Sequence, residues 1–179
     1  MKTVNKKYLY WVISLVFIGG ILISIYAILG GFDKIQLAQS NNNVYSIAGK
    51  YVQGHRMHIE EGKIFKEVRD LIQSEKIKGE LCMIDYESDT LESDEINRFI
   101  GVLLDDEITA IPSKFQVIAL TSARSYKAAL TMHPLVMPNT DKVKQALVDY
   151  AALQQDSLQD LSLEVYYTDN SVLVERFAK

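Results

Sequence analysis

Apolar side chains at Ile64, Phe65, Val68, Leu71 and Ile72 recur at three- and four-residue intervals with charged residues between them. This period predicts an amphipathic helix, which Gly79 stops. Before it, Val44 to Arg56 (VYSIAGKYVQGHR) carries β-forming residues interrupted by Gly49 and Gly54, the pattern of a bent or bulged strand. Two strand-like runs follow, ELCMIDYE and NRFIGVLL, joined by the acidic stretch SDTLESDE. The first half therefore reads strand, helix, strand, strand, and the second half repeats that order. SKFQVIALTSARSYKAALTMHP is extended in character. Pro138-Asn139-Thr140-Asp141 signals a helix start with Asn139 or Thr140 as cap, and Val143, Leu147, Tyr150 and Ala151 mark one helical face. Leu161 to Tyr167 and Ser171 to Phe177 then form a hairpin about the turn Asp169-Asn170.

A different pattern opens the chain. From Tyr8 to Phe32 there is no charged residue, and about 20 apolar residues suffice to cross a hydrocarbon core as a helix. The run is longer than the roughly 7–15 apolar residues of a signal peptide and has no small-x-small cleavage site. It predicts a single-pass transmembrane anchor over residues 8–32, with a cleaved signal peptide and a buried core helix as the alternatives. Tyr8, Tyr10, Trp11 and Tyr26 sit where interfacial aromatics belong. Lys2, Lys6 and Lys7 precede the span, while Asp33 and Lys34 follow it, so residues 1–7 are expected in the cytoplasm and the domain on the outer side. The polar stretch GGFDKIQLAQSNNN predicts a linker over residues 33–43, leaving a folded domain at 44–179.

Composition adds mainly exclusions. The 179 residues allow one sizeable soluble domain besides the anchor, and the net charge of −4 comes without a clustered basic stripe, so no nucleic-acid partner is expected. Cys82 is the only cysteine and has no partner for an internal disulfide. His55-x-x-His58 lacks the spacing of a helical zinc motif, and His133 is remote in sequence, so neither a metal nor a cofactor is expected. The acidic loop DYESDTLESDE lacks the central glycine and oxygen spacing of a calcium loop. No G-x-S-x-G occurs.

The last hairpin holds the candidate chemistry. Side chains alternate across a strand, so Leu161, Leu163, Val165 and Tyr167 share one face and Ser162, Glu164, Tyr166 and Thr168 the other. The apolar set is expected under the helices, and alternation alone leaves Glu164 a solvated carboxylate on the outer face. Laying CMIDYE on SLEVYYT superposes Tyr86 on Tyr166 and Ile84 on Glu164, which puts Cys82, Ile84 and Tyr86 on the equivalent face. An apolar, aromatic outer face calls for a cover or a ligand.

LEVYYTDN, taken with LCMIDYESDTLESDEINRFIGVLL, resembles the GyrI-like small-molecule-binding domain, the effector-binding or SHS2-type family. The matching features are Tyr86, the loop from Glu87 to Glu95, Phe99-Ile100-Gly101-Val102 and Glu164-Val165-Tyr166, and they cover residues 44–179. In layout the chain is similar to the membrane-anchored branch of that family. The resemblance implies an α+β fold of two βαββ (SHS2) modules related by a pseudo-twofold, with a groove for small hydrophobic or cationic molecules. It also implies Glu164 as the anionic floor, Tyr166 and Tyr86 as walls, and Ile84 beside them. There is no helix-turn-helix region, so a transcription-factor role is not expected. The expected function is small-molecule binding at the membrane. A hydrolase of electrophilic small molecules using Glu164 and a partner-binding scaffold are the alternatives.

Overall fold

The structure, a computed structural model, describes residues 6–55, 61–88, 95–105 and 111–179. It is an α+β chain with helices α1 (Lys6–Ile28), α2 (Glu61–Gln73) and α3 (Thr140–Leu153). The strands are β1 (Gln36–His55), β2 (Gly79–Tyr86), β3 (Glu95–Leu104), β4 (Gln116–Leu130), β5 (Leu158–Tyr166) and β6 (Val172–Ala178). The chain divides into two units, one holding residues 1–34 with 131–137 and the other residues 35–130 with 138–179.

In the first unit, Tyr8–Ile28 is long and apolar enough to cross a membrane. Past its end Gly30 takes a left-handed φ of 81°, and the Leu29 carbonyl accepts a hydrogen bond from the His133 amide.

In the second unit six antiparallel strands close into a barrel in the order β1-β3-β2-β5-β6-β4. The polar stretch expected as linker is a correction. Gln36 to Asn43 form the first half of β1, paired with β4. Their polarity is used inside the barrel, where the Ser40 hydroxyl donates to Asn43 Oδ1 (2.8 Å) and Asn43 Nδ2 to the Ser125 hydroxyl (2.7 Å). Within this stretch Asn42 takes a left-handed φ of 54°.

Closure gives the sheet two buried faces. The lumen is filled by Ile47, Cys82, Ile84, Phe99, Leu163, Val165 and Phe177, with Tyr45 and Tyr86 packed against them. The outer face carries a second cluster, in which Val68 of α2 lies against Ala48, Met83, Ile100 and Val102. Fully burying side chains of this size contributes roughly 1.5–3 kcal/mol each. The predicted helical spacing is thus the packed face of α2, and on α3 Val143, Leu147 and Ala151 are buried in the same way. Asn139 caps α3, its side chain accepting from the Asp141 amide. Tyr150 of α3 meets Tyr126 of β4 edge to face at 5.7 Å. Both helices therefore sit on the outer face, α2 over β2 and β3, and α3 over β4, β5 and β6.

This reverses an expectation. Leu163 and Val165 do not pack under the helices; they point into the lumen, and the helices cover the face that carries Glu164 and Tyr166.

Candidate ligand-binding site

Register builds the outer face as parallel rows, because residues paired across strands share a face. One row runs Lys50, Ile100, Met83, Glu164, Val174, Ala128, and the next runs Ala48, Val102, Leu81, Tyr166, Val172, Leu130. Glu164 is therefore an acid set in the middle of an apolar floor, between the two helices. It is 5% exposed, which excludes the solvated reading. The Tyr166 hydroxyl donates to Glu164 Oε2 at 2.6 Å, and Phe65 of α2 packs edge-on against the Tyr166 ring at 6.0 Å. Burial, followed by the neighbouring Glu164 charge, pushes the Tyr166 hydroxyl well above its ordinary pKa. It stays a donor to the carboxylate. On its other side Tyr166 lines a cleft of 330 Å³ with Arg69, Ile72, Glu80, Leu81 and Tyr167, between α2 and the β5–β6 hairpin. That volume is within the range of small-molecule sites, roughly 300–1,000 Å³.

A third row holds Arg98, Asp85, Ser162 and Arg176. It is tied into a chain of alternating charge. Arg98 Nη1 meets Glu61 Oε1 at 2.9 Å and Arg98 Nε meets Asp85 Oδ1 at 3.0 Å. Lys144 Nζ reaches from α3 to Asp85 Oδ2 and Glu87 Oε1, both at 2.8 Å, and Arg176 Nη2 meets Glu87 Oε2 at 2.8 Å. Burial alone would raise the Asp85 carboxyl, but Lys144 and Arg98 outweigh it and hold it below the usual range. Burial alone would likewise lower Lys144, and Asp85 and Glu87 hold it above its usual range. Three acids and three bases balance. No described Lys or Arg forms an ion pair with Glu164.

The four site residues expected from sequence are divided by the sheet. Glu164 and Tyr166 lie together on the outer face, whereas Ile84 and Tyr86 pair with Leu163 and Leu161 and face the lumen. There Tyr86 stacks on Tyr51 with ring centroids 6.2 Å apart, and its hydroxyl is pushed up to about 12 by burial and then by Tyr51. The superposition of Tyr86 on Tyr166 is off by one residue, which on a strand exchanges the faces. Cys82 is buried in the same lumen and its thiol is pushed far above its usual value, so it is inert.

Sequence reasoning missed Glu175. It is 0% exposed in the lumen, accepts from the Tyr45 hydroxyl at 2.8 Å, and lies 3.8 Å from Lys127 Nζ. Burial raises its carboxyl more than Ser125, Lys127 and Tyr45 lower it. The signal available was alternation along VLVERF, which puts Glu175 on the face of Leu173 and Phe177. His55 lies 3.9 Å from Glu95, while His58 and residues 89–94 of the acidic loop fall outside the described residues. Among the described residues no group of His, Cys, Asp and Glu has metal-binding geometry.

No family model matches the chain, and no curated protein matches its sequence. Solved structures do. An integron cassette protein from Vibrio cholerae is 13% identical, with 81% of this chain and 97% of that one covered at a TM-score of 0.50. A hydrolase from Listeria innocua is 7% identical, with 80% and 92% covered at 0.53. The C-terminal domain of EcmrR is 14% identical, with 81% and 98% covered at 0.50. At these identities the likenesses show a shared α+β fold.

Proposed function

We propose that this chain is a membrane-anchored small-molecule-binding protein that takes hydrophobic cations in a groove opening on the outer face between α2 and α3, with Glu164 as the anionic floor and Tyr166, which also lines the cleft beside α2, as a wall. One observation carries the reading. The six charges of the chain that runs through the adjacent row neutralise one another, and Glu164 is left buried with a tyrosine hydroxyl but no described cation. A buried, unpaired carboxylate is costly, and a cation that brings its own apolar surface relieves that cost. Glu175 fits the role less well because Lys127 already stands beside it in a packed lumen. The strand order supports two βαββ modules about a pseudo-twofold, since exchanging β1 with β4, β2 with β5 and β3 with β6 reproduces it.

In thermal-shift titrations of the full chain in detergent, an aryl trimethylammonium probe should stabilise the protein, and Glu164→Gln should remove most of that shift. A neutral isostere of the probe should respond little to the substitution. Equal responses of the two probes would refute the assignment of Glu164.

The anchor reading places α1 across the bilayer with the N-terminus cytoplasmic and the barrel outside. The full chain should remain in the pellet after an alkaline carbonate wash, with an intact mass that includes residues 8–32. A soluble product lacking them would make this segment a cleaved signal.

A further inference from the structure

Beside Glu164, two buried polar atoms have no hydrogen-bond partner among the described residues, the Ser162 hydroxyl and Arg176 Nε. Ser162 and Arg176 are paired in register on β5 and β6, and both share the outer face with Glu164. Neither is open to bulk water, Ser162 being 0% and Arg176 8% exposed. Arg176 cannot easily turn its Nε elsewhere, because Nη2 donates to Glu87 Oε2 at 2.8 Å and to the Gln159 carbonyl at 3.0 Å. Arg98 and Lys144 in the same charge chain are bonded to acids. Two adjacent buried donors left unmade are unfavourable, and Arg176 Nε can only donate. An oxygen with two lone pairs satisfies both.

Such an oxygen is better neutral than anionic, since Asp85 pairs with Ser162 on the other side and Glu87 holds Arg176. Ser162 and Glu164 are two residues apart on one strand, a separation of about 7 Å. We infer that the groove is specific for a cation carrying a neutral oxygen acceptor, such as a ketone or amide carbonyl, about 7 Å from the charge. The cation sits on Glu164 while Ser162 and Arg176 hold the carbonyl. Lys144, which bridges Asp85 and Glu87, closes this row on the α3 side. The inference rests on the reading of the groove as a cation site.

The test is calorimetry on the full chain in detergent with two probes. One is a phenyl ketone joined through four methylenes to a trimethylammonium group, and the other has the ketone replaced by a methylene. Ser162→Ala breaks no hydrogen bond of the folded chain, so its melting temperature should match that of the wild type. It should reduce the ketone-to-methylene affinity ratio about tenfold, with the affinity for the methylene probe unchanged. Glu164→Gln should weaken both probes. If Glu164→Gln weakens both but Ser162→Ala leaves the ratio unchanged, carbonyl recognition is wrong and the cation site stands. If Glu164→Gln weakens neither, the groove reading fails and this inference with it.

Discussion

Asp85→Ala should lower the melting temperature by about 10 °C, from a loss of about 3 kcal/mol. Asp85 is the acid shared by Arg98 of β3 and Lys144 of α3, so its removal leaves two half-buried cations short of a partner. The effect stays at the lower end of the range for broken buried pairs because Glu61 still holds Arg98 and Glu87 still holds Lys144. The pH dependence identifies the cause. The Asp85 carboxyl titrates lower in the folded chain than in the unfolded one. Its contribution is therefore complete above the unfolded value near 4 and is lost as pH falls through the folded value. Lys144 is raised, so its contribution is complete below the unfolded value near 10 and is lost as pH rises through the folded value. The stability gap between wild type and Asp85→Asn should thus be widest between about pH 5 and pH 10 and shrink in acid. A gap independent of pH would mean that packing, not charge, is lost.

Gly101→Val should abolish the cooperative thermal transition, a loss of at least about 4 kcal/mol. Gly101 of β3 and Gly49 of β1 are paired at the point where β1 passes from β4 to β3. A Cβ at Gly101 would collide with the Ala48 carbonyl oxygen and lie 2.7 Å from Gly49 Cα. Both contacts are backbone, so no rotamer change relieves them. The barrel closes only because neither position carries a side chain. A Gly101→Val protein melting within a few degrees of wild type would show that β1 can shift away from β3 without loss of the fold.

Much of the secondary structure was legible because its signals are local. The spacing of Ile64, Phe65, Val68, Leu71 and Ile72, the cap at Asn139 and the turn at Asp169-Asn170 each depend on a few neighbouring residues, and α2, α3 and the β5–β6 hairpin formed there. Alternation in β5 separated Glu164 from Leu163 correctly. It could not say which set met the helices, because closure into a barrel buries both faces. Ile84 and Tyr86 were grouped with Glu164 through a one-residue misalignment of two weakly similar strands, and pairing register is a long-range property. The first half of β1 was hidden by composition, since Ser40 and Asn43 spend their polarity on hydrogen bonds within the lumen. The charge chain was hidden for the same reason as the register, because Asp85 and Lys144 are 59 residues apart in sequence.

Whether the cation binds in the outer groove at Glu164 or in the lumen is decided by where a heavy-atom cation sits. Crystals of the protein with tetraphenylarsonium bound allow the arsenic to be located by its anomalous signal. The peak should lie between α2 and α3, above β5, with a phenyl ring against Tyr166 and Glu164 the nearest acid, if Glu164 holds the cation. A peak inside the barrel beside Glu175, or in the polar cleft around Arg124 and Asp156, would contradict it.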